Sequence, residues 1–119
     1  ANEQVAVLVQ AEHIEAVENI ESIVRVEGID GIMLAPYDLS ASLGKMGQLD
    51  DPAVVGAIER VFQACQSTGT PIGYFGVTAE AVRPYLQKGY NLILAGVDTL
   101  HLGNAAQDLL NELKPSPNN

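Results

Sequence analysis

Four apolar runs divide the chain: "VAVLVQ" over residues 5–10, "GIMLAP" over 31–36, "PIGYFG" over 71–76 and "NLILAG" over 91–96. None alternates apolar with polar positions. A short continuous run bounded by turn residues predicts a strand buried on both faces, as in a parallel sheet. Each run is followed by helical spacing. Ile14, Val17, Ile20 and Val24 recur over 13–25 with acids on the other side. Val54, Val55, Ile58, Val61, Phe62 and Cys65 form one stripe, opened by Asp51 as cap and Pro52 as first residue and closed by Gly69. Thr78 caps a helix through Gln87, closed by Gly89. Leu102, Ala105, Ala106, Leu109, Leu110 and Leu113 make the last stripe, on a helix opened by His101, and 115–119 reads as a frayed tail.

The predicted order is βαβαβαβα, an α/β fold with parallel strands and right-handed crossovers over 1–114. Two architectures fit four such units: a small open sheet with helices on both faces, or half of an eight-stranded barrel. Both put function at the carboxyl ends of the strands, where Gln10, Glu12, Asp38, Gly76 and Asp98 fall. The 119 residues suffice for one domain and one core, and no linker divides them.

A net charge of −9 argues against nucleic acid or an anionic membrane as partner. No apolar run reaches the length of a membrane span. Residues 1–20 lack the basic start of a signal peptide. One cysteine forms no internal disulfide, which fits a reducing cytoplasm, and Cys65 sits in a helical stripe as core packing.

Two acids follow apolar runs, Glu12 after "VLVQA" and Asp38 after "LAPY". Each alone reads as well as a helix-cap or turn residue, with Asp38 and Ser40 forming an Asx or ST turn. Gln10 lies two residues before Glu12 and so faces the same side of its strand. Pro36 ends the second strand by removing a donor, leaving the N–H groups of Tyr37 and Asp38 for a guest such as a carboxylate. Carboxylates on neighbouring strands, about 4.8 Å apart at the backbone, can hold one hard divalent cation, Mg²⁺ or Mn²⁺ before Co²⁺ or Zn²⁺. His13 and His101 belong to no zinc-spaced cluster. "GKMGQ" over 44–48 lacks the spacing of a phosphate loop.

The segments "VQAE", "GIDGIMLAPYDLSASLGKMGQ", "PIGYFG" and "LILAGVDTLHL" keep the order and motifs of a known family. From residue 5 to 113 the chain resembles the C-terminal half of the HpcH/HpaI aldolase/citrate lyase family, the metal-dependent pyruvate aldolases. The resemblance implies the second half, strands five to eight, of a (β/α)₈ TIM barrel. It implies a divalent metal on Glu12 and Asp38, with Gln10 touching substrate at the reacting centre. It implies a pyruvate carboxylate held beside Pro36 by the N–H groups of Tyr37 and Asp38. Phe75 lines the aldehyde pocket, and Val97 and Asp98 close it near a neighbouring subunit. The implied reaction is reversible cleavage of a 4-hydroxy-2-oxo acid to pyruvate and an aldehyde.

Two departures stand beside the resemblance. Ala35 and Tyr37 stand where the family commonly has glycine and a small residue, and Tyr37 is expected to narrow the pocket. Strands one to four, with the family's arginine clamp and histidine–aspartate pair, are absent from this chain. Arg25, Arg60 and Arg83 all lie in predicted helices and offer no replacement. The expected assembly is therefore a homo-oligomer or pairing with the missing N-terminal half. Two competing readings are an inactive half-barrel or flavodoxin-like module binding metal or anions, and a lyase of CoA thioesters. The second is disfavoured by the absence of a basic cluster.

Overall fold

A computed structural model describes residues 4–114. Four strands, β1 (Leu8–Ala11), β2 (Gly31–Leu34), β3 (Ile72–Gly76) and β4 (Leu92–Ala95), form one sheet in the order β1-β2-β3-β4. All neighbours are parallel, as the continuous apolar runs predict, and the register aligns Gln10 with Met33 and Phe75 with Leu94. The connections carry α1 (Ile14–Glu18) and α2 (Ile20–Ile23), then α3 (Pro36–Ser42) and α4 (Pro52–Thr68), then α5 (Ala79–Lys88). The last helix, α6 (Asp98–Leu113), follows β4. The predicted tail over 115–119 lies outside the described residues. Among the described residues no helix is long and apolar enough to cross a membrane.

The caps read from sequence form. Asp51 accepts from the Ala53 N–H at 2.9 Å, Thr78 accepts from the Ala81 N–H at 3.2 Å, and Gly69 and Gly89 end their helices at φ 71° and 102°. Three local expectations are corrected. The helical stretch over 13–25 breaks at Asn19, whose amide donates to the Glu15 carbonyl at 2.8 Å, and it ends at Ile23, which leaves Arg25 in a turn. The segment after Pro36 is helix α3 rather than a turn, because proline at the first position presets φ and Leu39 anchors the turn in the core. The last helix opens at Asp98, with Val97 as its cap, rather than at His101.

The serines of α3 join it to its neighbours. Ser40 is fully buried, donates to the Tyr37 carbonyl at 2.6 Å and accepts from the Gly47 N–H at 2.9 Å. Ser42 donates to the Leu39 carbonyl at 2.8 Å and accepts from the Ile14 N–H at 3.1 Å. Each hydroxyl thus satisfies a helix carbonyl and ties a separate segment to α3.

Only one face of the sheet is covered. Ala11, Ile32, Leu34, Ile72 and Tyr74 pack into the core with Val17, Ile20 and the α4 stripe except Val55, which is exposed, while Phe62, Tyr74, Tyr85 and Tyr90 form an aromatic cluster. The opposite face carries Leu8, Leu92 and Leu94, which are exposed. Helix α6 buries no side chain, and its leucine stripe faces outward. Among the described residues, no other element covers that stripe.

Burial sets the expected cost of truncation. Leu39→Ala removes a fully buried side chain and should cost about 2–5 kcal/mol. Leu110→Ala, half exposed on α6, should change stability by less than about 0.5 kcal/mol. Urea unfolding of the two variants checks the contrast. Equal midpoints would mean that α6 packs in solution.

Candidate active site

The carboxyl ends of the parallel strands share one edge, and the functional candidates from the first two strands meet there. Gln10 is the third residue of β1 and Glu12 follows its end. The Gln10 side-chain N–H donates to a Glu12 carboxylate oxygen at 3.0 Å, so the two do face one way. Asp38 sits in the first turn of α3, directly after β2. Both carboxylates are exposed, although Asp38 looks buried from its apolar context. Neither forms an ion pair among the described residues.

A cavity of about 410 Å³ on the open face of the sheet brings Gln10, Asp38 and Phe75 together. Leu8, Met33, Ala35 and Leu94 complete its wall. Of these, sequence reading named only Ala35 and missed Leu8, Met33 and Leu94, because each looked like an ordinary strand residue. Alternation along the strands assigns them to the inward face once the register is known. Pro36, Tyr37 and Phe75 also line a second cavity of about 100 Å³ beside the first. Val97 borders neither cavity and caps α6 instead. The first-turn N–H groups of Tyr37 and Asp38 precede the first intrahelical bond of α3, made from Leu39 to Ala35 at 3.0 Å, and so remain open to a guest.

The two histidines are taken up in local contacts, and the cysteine lies in the core. His13 caps α1, its Nδ1 accepting from the Glu15 N–H at 3.3 Å. The His101 ring packs over Gly96, where a Cβ would lie 2.2 Å from Nε2 and φ is +97°, so glycine is required there on two counts. Cys65 is fully buried in α4 and burial pushes its thiol up to about 11, which fits packing and not nucleophilic use.

Whether these residues suit a metal is a question of donor set. No group of three or more His, Cys, Asp or Glu side chains among the described residues could hold an ion. Two unpaired carboxylates with a steering amide leave most coordination positions open, the arrangement in which Mg²⁺ or Mn²⁺ keeps water and substrate oxygens. Glu12 and Asp38 thus offer the hard oxygen donors that such a cation takes.

Four parallel strands in sequential order, each followed by helix and covered on one face, are the architecture of half an α/β barrel. The HpcH/HpaI aldolase/citrate lyase family profile matches residues 1–105, and the chain belongs to that family. It is 36% identical over 117 residues to a hydroxypyruvate/pyruvate aldolase of Cupriavidus necator, covering 98% of this chain and 44% of that one. It is 38% identical over 109 residues to a 4-hydroxy-2-oxo-heptane-1,7-dioate aldolase of Escherichia coli, covering 92% of this chain and 42% of that one. The crystal structure of an HpcH/HpaI aldolase/citrate lyase family protein from Burkholderia cenocepacia J2315 superposes with TM-score 0.89 at 37% identity, over 97% of this chain and 45% of that one. The chain thus spans less than half the length of the relatives it matches, and its four βα units are half of a TIM barrel.

Burial of the thiol carries a pH signature. The ordinary thiol value is 9.0 and the folded chain holds the Cys65 proton up to about 11. Unfolding therefore releases a proton between those values, and stability falls as pH rises through that window. Burial raises the Tyr74 and Tyr90 phenols as well, so they add to the fall at higher pH. Urea midpoints at pH 8 and pH 10.5 should show the decline. The part due to the thiol should be absent in Cys65→Ala.

Proposed function

We propose that this chain is the metal-binding half of a divalent-metal-dependent pyruvate aldolase, acting with the other half of its barrel. The substrate would be a 4-hydroxy-2-oxo acid, cleaved reversibly to pyruvate and an aldehyde. The observation that carries this reading is the Gln10–Glu12 pair at the end of β1, set beside Asp38 at the end of β2.

Glu12 and Asp38 would hold the cation, Mg²⁺ or Mn²⁺ by their hard oxygen donors. When bound, the metal supplies Lewis-acid stabilisation of the charge that develops on the keto oxygen. Gln10 orients Glu12 and is placed to donate toward that oxygen. The open N–H groups of Tyr37 and Asp38 would receive the pyruvate carboxylate beside Pro36, and Phe75 would border the aldehyde portion. In cleavage the C3–C4 bond breaks, its electron pair passes to the pyruvate enolate, and the C4 hydroxyl proton leaves to a base. That base is assigned to neither Glu12 nor Asp38, whose role is to bind the metal, so it comes from the complementary half. Val97 would help close the site once that half, or a second copy, covers the open face.

The isolated chain should accordingly bind metal and show little turnover. Calorimetry with Mn²⁺ or Mg²⁺ and oxalate, which mimics the pyruvate enolate, tests the site directly. Oxalate should bind only with metal. Glu12→Ala and Asp38→Ala should each abolish that binding, and Gln10→Ala should weaken it about 10–100-fold, as loss of a partner that orients a ligand does. Metal-independent oxalate binding, or binding indifferent to both acid substitutions, would sink the proposal.

A further inference from the structure

The smaller cavity carries information about substrate that the strand-end acids do not. It is walled by Tyr37, Leu49, Phe75, Val77 and Ala81, and shares Phe75 with the larger cavity. Its lining presents almost no polar surface and includes no Lys, Arg or His side chain. At about 100 Å³ it is smaller than the ~150 Å³ cavity that takes a benzene ring.

The walls are held in place by specific contacts. The loop over 43–51 brings Leu49 to the cavity, and buried Ser40 fixes that loop through the Gly47 N–H at 2.9 Å and, by its carbonyl, the Lys45 N–H at 2.7 Å. Lys45 pairs with Asp51 at 3.1 Å, and Asp51 caps α4, so the far end of the loop is tied as well. The Ala53 N–H first, and then Lys45, hold the Asp51 carboxyl below the usual carboxylate range. Tyr37 rests against Gly47, where a Cβ would lie 3.2 Å from the phenol oxygen and φ is +76°. The ring is therefore seated on a glycine that other residues replace only with strain. Such a pocket is preformed for an apolar guest.

We propose that this pocket receives the carbon tail of the aldehyde product, so that the chain selects 4-hydroxy-2-oxo acids whose tail beyond C4 is short and uncharged. This rests on the aldolase reading above and narrows its substrate. A tail ending in a carboxylate, as in the dioate of the Escherichia coli relative's name, would lose its water with no cation in the lining to receive it. Tyr37, Leu49 and Val77 are then the residues that set specificity.

Methyl NMR of the chain, titrated with butanal and separately with 4-oxobutanoate, tests the assignment without turnover. Butanal should shift the Leu49 and Val77 methyls saturably, and 4-oxobutanoate should bind about tenfold or more weakly. Leu49→Arg, on a partly exposed loop residue, should reverse that order, with the core methyls around the tyrosine cluster reporting an intact fold. Equal binding of the two aldehydes, or a butanal response unchanged by Leu49→Arg, overturns the proposal. Glu12→Ala separates it from the metal site: its butanal response should persist while metal-dependent oxalate binding is lost. A butanal response in a wild-type chain that never binds oxalate with metal would leave an apolar pocket without an aldolase site, and the substrate assignment would fall with it.

Discussion

Parallel strands joined by helical crossovers carry apolar side chains on both faces, and both faces have to be kept from water. In this chain the helices reach only one. The covered face, built from Ile32, Leu34, Ile72 and Tyr74 against α4 and α5, supplies the core. The other face leaves Leu8, Leu92 and Leu94 in solvent, and both edge strands are unpaired. That imbalance accompanies the exposed stripe of α6 and fits a chain that spans about 45% of its relatives' length. The same face that lacks cover is the one onto which Gln10, Asp38 and Phe75 converge. Under the proposed function, completing the barrel and completing the site are one event.

The chemistry at the strand ends depends on register more than on distance along the chain. Gln10 and Asp38 are 28 positions apart and Phe75 is a further 37 away, yet parallel pairing sets their strands side by side with all carboxyl ends at one edge. Each inward side chain alternates with one that locks into the core, so the packing of Ala11 and Leu34 fixes how Gln10 and Met33 point. A one-residue slip of β1 would turn Gln10 and Glu12 into the helix layer. The stability of the outer face is thus what positions the inner one.

Helix α3 shows where a local reading reaches its limit. Proline followed by aspartate and serines reads as a turn, and seven residues are too few for an amphipathic stripe to declare itself. What makes the segment helical is burial of Leu39 together with two hydroxyls whose partners, Gly47 and Ile14, lie elsewhere in the chain. The serines beside Asp38 hold the helix and its loop, and in doing so they fix the backbone from which Asp38 projects.

The sequence by itself determined the order of strands and helices, the capping of α4 and α5, and the acids at the ends of β1 and β2. These follow from periodicity, cap chemistry and alternation, which act over a few residues and need no knowledge of distant neighbours. It also carried the family motifs around Glu12 and Asp38. Tertiary structure alone decided that the break at Asn19 splits one helix, that α6 buries nothing, and that Tyr37, Leu49 and Val77 enclose one small apolar pocket. Those outcomes depend on which surfaces meet. A hydrophobic stripe states that a face seeks burial, but only the arrangement of the rest of the molecule states whether anything is there to bury it.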